Sequence, residues 1–270
     1  MPHVWLTFAL VLYGFGLFHS FLFLHGRREA MDRMVIPASR IGALFHFVSL
    51  VETVVESGQW IPVTVYQSES VLALLLMAVF QFTYWRYKTL SHGIFVFPLV
   101  FLLTLSTAIG EAQITPQSPM LGSGWIFTHI ALIFAGYAAL FFSFASSILY
   151  LIQERSLKTK HVDGFSSRLP ALQVIDEIGF RSLLIGFPFM TMGLIAGAVL
   201  AAASYGAVFF RDPKILLSML MWTVYTLLLF SRWSAGWRGR RAAILSTVAF
   251  MVAAVAWAAN YISSVHRFTQ

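Results

Sequence analysis

The sequence predicts an all-α membrane bundle of about eight transmembrane helices, and three observations predict it. Of its 270 residues, 59% are hydrophobic and only 11% are charged. Soluble globular domains carry about 25% charged residues, so these few charges could not cover a water-facing surface. Apolar stretches of about 20 residues, enough to cross a hydrocarbon core of about 30 Å, recur along the whole chain. The basic residues fall in the short joins between those stretches, which is how membrane topology is written.

The candidate spans lie at about 4–24, 40–58, 69–86, 92–110, 124–152, 182–204, 214–231 and 242–264. The first opens as Met1-Pro2-His3-Val4-Trp5, with no basic lead-in and no small-residue cleavage site after it. It reads as an uncleaved helix rather than a signal peptide. Pro37, Pro62, Pro116, Pro119, Pro170 and Pro213 punctuate the joins. The longest connection, 153–181, carries Asp163, Asp176 and Glu177 among its basic residues and reads as a solvated loop along the membrane surface. In the sixth span, Pro188 after Phe187 predicts a kink, and Gly193 and Gly197 predict close helix packing. Trp60, Trp125, Trp233 and Trp237 fit interfacial anchors. The apolar residues are spread without a linker or an internal repeat, so residues 1–270 read as a single membrane domain.

Charge sets the orientation. Fifteen of the 18 Lys and Arg lie in the first, third, fifth and seventh connections, and the remaining three are Arg211, Lys214 and Arg267. Basic residues stay on the cytoplasmic side, which predicts both termini outside and a multi-pass protein of the inner (plasma) membrane. The net charge of +7 is accounted for by this placement, so nucleic acid is not expected as a partner; the lipid bilayer is. With no cysteine in the chain, disulfides and thiolate metal sites are excluded.

Ionisable residues inside lipid are functional candidates by default. His129 lies about one turn into the fifth span and His266 just past the outer end of the eighth, at similar depth. Two neutral imidazoles meeting at one point are a competent axial pair for haem iron. Gly136, Ser143 and Ser147 share the His129 face, a small-residue stripe that suits either a pocket or helix packing. His19 and His46 form a second, inner pair, each about five residues from the cytoplasmic end of its predicted span. They suit either a metal or haem role or a plain hydrogen bond to a neighbouring helix. Glu52 and Glu56 share the second span.

The stretch from about 124 to 266 resembles the cytochrome c assembly protein family, the CcsA/CcmC-like haem-handling membrane proteins. Four segments carry the resemblance: His129-Ile130-Ala131-Leu132 with Gly136-Tyr137-Ala138-Ala139-Leu140; Leu169-Pro170-Ala171-Leu172 through Asp176 and on to Gly186-Phe187-Pro188-Phe189; Arg211-Asp212-Pro213-Lys214 with Trp222, Tyr225 and Gly236-Trp237-Arg238-Gly239-Arg240-Arg241; and Asn260 with His266. The resemblance implies haem presented at the outer face, with His129 and His266 as iron ligands. Asp212, Pro213 and Lys214 would be what remains of a tryptophan-rich cradle loop, which here has no tryptophan and has Ile215 after the lysine. Together with Phe230, where haem-transporting members often carry a histidine, this looks most like the HemX/YpjD branch.

Three functions follow as expectations, none of them enzymatic. The first is a haem-binding protein supporting cytochrome c biogenesis, with haem, a ResB-like membrane protein or apocytochrome c as partners. The second is a HemX-type regulator of tetrapyrrole biosynthesis acting on the level of glutamyl-tRNA reductase. The third is a transporter unrelated to haem, for which Glu52 and Glu56 are the strongest hint.

Overall fold

In a computed structural model, which describes residues 2–25, 32–58, 60–62, 64–110, 124–160, 164–205 and 213–258, the chain is helical throughout. The helices are α1 (Pro2–Leu24), α2 (Asp32–Ser57), α3 (Val65–Tyr87), α4 (Gly93–Ile109), α5 (Gly124–Thr159), α6 (Leu172–Tyr205), α7 (Pro213–Ser234) and α8 (Arg240–Ala258), with a 3-10 turn at Ser166–Arg168 before α6. Among the described residues, six helices are long and apolar enough to cross a membrane: α1, α2, α3, α5, α6 and α7. The 17-residue α4 is shorter but as apolar. Large apolar side chains such as Val11, Leu44, Val55, Ile195 and Phe230 point outward, while Ser39, His46, Ser70, Thr104 and Ser143 are buried. That inversion suits a lipid surround, where hydrocarbon solvates the outside and polar groups need partners within. The protein is a multi-pass membrane protein.

The chain divides into two compact units. The first comprises Met1–Ile114 and Arg155–Ala171, the second Thr115–Glu154 and Leu172–Gln270. In the first unit α1 packs on α2 and α4, and α3 on α2 and α4. Its core holds Tyr13, Leu76, Met77, Phe80 and Phe97, with Phe80 and Phe97 edge to face at 5.1 Å. α3 starts with a capping box, in which the Gln67 amide donates to Thr64 Oγ1 (3.1 Å) and the Thr64 amide to Gln67 Oε1 (3.3 Å).

The second unit is built on a glycine seam. Along α6, a Cβ added at Gly179 would stand 3.0 Å from Ser146, at Gly186 2.9 Å from Leu140, at Gly193 2.8 Å from Ile133 and at Gly197 2.6 Å from His129. The α5 partners descend as the α6 numbers rise, so the two helices are antiparallel. From α5, Gly136 answers with a Cβ position 3.1 Å from the Met190 backbone nitrogen. Lipid offers no hydrophobic drive to pair helices, so such close backbone approach supplies the van der Waals contact that does. α8 also runs antiparallel to α5, with Gly239 at Tyr150, Ser246 at Ser143 and Phe250 at Phe141.

Three element boundaries differ from expectation. α2 begins at Asp32 rather than 40, α5 continues to Thr159 rather than 152, and α6 begins at Leu172 rather than 182. The expected surface loop at 153–181 is therefore largely helix. For α5 and α6, hydropathy marks the part of a helix that lies in lipid, not its polar ends in water; α2 runs through Pro37, which was expected at a join. On α6 that polar end carries the Glu177–Arg181 pair at 2.8 Å, one turn apart, which favours helix there.

Candidate functional site

His129 sits in the second turn of α5, half-buried, facing the Gly193–Gly197 end of the glycine seam. Its ring occupies the space that a side chain at Gly197 would need, with the Gly197 Cβ position 2.6 Å from Cε1 and 2.8 Å from Nδ1. Its Nδ1 lies 2.7 Å from the Gly193 carbonyl oxygen. A carbonyl only accepts, so Nδ1 carries the hydrogen, and in the neutral ring Nε2 is the lone-pair nitrogen. A backbone acceptor on the far nitrogen is the usual way a metal-binding imidazole is given its tautomer and orientation. The donor set at His129 therefore suits an iron ligand. The Gly193 and Gly197 packing face expected from the sequence is present, and its partner is the candidate ligand itself.

His266 and Asp212 lie outside the described residues, as does Asn260, and Lys214 is described only as the second residue of α7. α8 does rise toward the end of the second unit that holds His129, through the antiparallel contacts given above. The small-residue stripe below His129 splits between the two readings left open. Gly136 is packing, against Met190, whereas Ser143 Oγ meets Ser246 Oγ at 3.1 Å and joins a polar cluster.

In that cluster Ser143, Ser146 and Ser147 of α5 line a small cavity with Asp176 of α6, Arg232 of α7 and Ser246 of α8. At about 10 Å³ it has room for about one water. Arg232 donates to Asp176 Oδ2 at 2.8 Å, the two side chains being 10% and 24% exposed, and its guanidinium lies 4.4 Å from the Phe180 ring centre. Sequence reasoning missed this pair because Asp176 was assigned to a loop. The signal available was the Asp176-Glu177 step four residues before Arg181, which reads as a polar helix start as readily as a loop.

Higher in the same unit, Phe187 stacks on Trp222 (6.0 Å, 27°), and the Trp222 indole donates to Thr191 Oγ1 at 3.0 Å. Tyr225 is 1% exposed and its hydroxyl has no hydrogen-bond partner among the described residues. Replacing it with phenylalanine deletes a desolvated hydroxyl without opening a cavity. Tyr225→Phe should therefore unfold at the same or a higher temperature in detergent, by up to about 1 kcal/mol; a clear drop would mean that the hydroxyl has a partner in the membrane.

In the first unit, His46 is fully buried, with Nε2 2.8 Å from Ser70 Oγ and Nδ1 3.4 Å from the Tyr13 hydroxyl. His19 lies against Phe23, with ring centres 6.2 Å apart. The early start of α2 puts His46 about 14 residues, roughly 21 Å, from that end of the helix. Glu52 accepts the Trp5 indole hydrogen at 3.1 Å, and Glu56 is exposed in the last turn of α2. Among the described residues no group of three or more His, Asp or Glu side chains could hold a metal ion.

The family described as Cytochrome C assembly protein matches residues 62–263. The cytochrome c biogenesis protein CcsA of Heterosigma akashiwo is 30% identical over 224 residues, covering 69% of each chain. CcsA of Guillardia theta is 29% identical over 219 residues, 73% of this chain and 72% of that one. CcsA of Chlamydomonas reinhardtii is 34% identical over 142 residues, 52% of this chain and 38% of its own. These relatives are CcsA proteins and lend no support to the HemX/YpjD branch.

Proposed function

This chain belongs to the cytochrome c assembly protein family, and on that premise we propose that it serves cytochrome c biogenesis as a non-enzymatic membrane protein holding haem as cargo. One observation carries the haem reading: the His129 ring is held by the Gly193 carbonyl at 2.7 Å in the tautomer whose Nε2 lone pair can bond iron. His266 is the second axial ligand in this reading, and Asp212 and Lys214 stand beside the macrocycle, as the family resemblance implies. With no cysteine of its own, the chain leaves the thiols of covalent attachment to apocytochrome c, and a ResB-like membrane protein is the partner expected alongside. The excess of basic residues in alternate joins supports a plasma-membrane orientation with both termini, and this end of α5, outside. The transporter reading weakens because Glu52 is engaged by Trp5 and Glu56 sits at a helix end.

A haemin titration of the purified full chain, followed by its Soret band, tests the proposal. Saturable uptake with a bis-imidazole spectrum is expected; a colourless protein that takes up no haemin would end it. Within that titration, Asp212→Ala should weaken uptake less than His266→Ala, because a loop carboxylate orients while an axial ligand bonds the metal. An equal or larger loss from Asp212→Ala would reverse the assignment.

A further inference from the structure

We propose that the junction of α7 and α8 binds the headgroup of an anionic phospholipid, in a groove between α6 and α7, independently of any haem. Four arginines, Arg232, Arg238, Arg240 and Arg241, fall within ten residues there. Arg232 is satisfied by Asp176 at 2.8 Å. Arg238, Arg240 and Arg241 are exposed, and among the described residues no carboxylate pairs with them; Arg241 lies 6.0 Å over the Trp237 ring.

The backbone holds this loop in a defined shape. Gly236 (φ +61°) and Gly239 (φ +68°) flank Trp237 and Arg238 in the left-handed region that favours glycine. Between them the Trp237 amide donates to the Ser231 carbonyl at 3.1 Å. Gly239 also seats against Tyr150, whose hydroxyl oxygen would lie 2.7 Å from an added Cβ. Arg238 is thereby presented at a fixed place rather than on a loose basic tail.

Beside it opens a groove of about 520 Å³, within the size of small-ligand sites. Phe180, Leu184 and Trp233 form its apolar wall, and Gln173 and Arg238 line it beside them. Its two carboxylates are already neutralised, Asp176 by Arg232 and Glu177 by Arg181, each at 2.8 Å. The charge left over is the Arg238 guanidinium. The wall runs on into outward-facing apolar residues of the same helices, with Ile185, Leu227 and Phe230 all more than half exposed and Trp233 81% exposed. An apolar wall on helices that present apolar side chains to lipid, with an unpaired arginine lining it at a helix end beside tryptophan, matches a phosphodiester on acyl chains. Guanidinium is also the side chain best shaped for phosphate oxygens.

Native mass spectrometry of the full chain, exchanged into equimolar phosphatidylglycerol and phosphatidylcholine, reads the preference directly. The wild type should retain phosphatidylglycerol about fivefold over phosphatidylcholine for one engaged charge, and Arg238→Gln should bring the ratio close to one. Arg86→Gln removes another exposed arginine, in the first unit and not among the residues lining this groove, and should leave the ratio unchanged. Trp233→Ala should lower retention of both lipids, since it removes wall and not charge. Equal retention of the two lipids by the wild type, or an equal fall in Arg86→Gln and Arg238→Gln, would overturn the site and leave only diffuse attraction of basic joins. Circular dichroism of each variant confirms that a lost preference is not a lost fold.

Discussion

Replacing His129 with alanine is expected to reduce haemin uptake, and with it cytochrome c maturation in complemented cells, to background. The expectation comes from the seat more than from the histidine alone. The ring meets α6 along one edge, with Nδ1 at the Gly193 carbonyl and Cε1 in the space a side chain at Gly197 would fill, and the carbonyl sets the tautomer that leaves Nε2 its lone pair. Two further variants separate ligation from packing. His129→Gln keeps an N–H able to reach the Gly193 carbonyl but supplies no imidazole, and it should fail as completely as alanine. Gly197→Ala keeps the imidazole but puts a methyl where the ring lies, and should shift the Soret band or weaken uptake without abolishing it. An unchanged spectrum in His129→Ala would remove the imidazole from the iron, and retained uptake in His129→Gln would make it a packing residue.

The largest stability effect is expected from Asp176→Ala. It leaves the Arg232 guanidinium, 10% exposed, without its carboxylate beside a cavity of about 10 Å³. Stranding one member of a buried pair costs about 3 kcal/mol or more, which should appear as a lowered unfolding midpoint in detergent. The neighbouring Glu177→Ala breaks a pair exposed by 54% and 38%, where solvent screening leaves at most about 0.5 kcal/mol. The double change Asp176→Ala with Arg232→Met should recover much of the loss, because it removes the stranded charge. Equal midpoints for Asp176→Ala and Glu177→Ala would show that the pair is no more than a surface contact.

What is legible in the sequence follows the physics of solvent transfer. α1, α3, α4 and α7 lie within a few residues of their predicted spans because hydrocarbon demands a run of apolar residues of set length. α5 and α6 run further than their predicted spans because their ends are polar, and the rule that detects lipid says nothing about helix that continues into water; α2 runs further because Pro37 lies inside the helix rather than at a join. The CcsA relatives support the family that the His129 segment suggested, while nothing in periodicity could tell a ligand's seat from a packing seam.

Composition and the spacing of apolar runs, by themselves, determined a membrane helix bundle and which helix carries His19, His46 and His129. Helix membership is a one-dimensional quantity, and chain order suffices for it. Tertiary structure alone decided which groups meet: His129 with the Gly193 carbonyl, Asp176 with Arg232 across 56 positions of chain, and His46 with Ser70 and Tyr13. Those partnerships depend on how far each helix is rotated about its axis, and that angle is set by glycines that let two backbones close together.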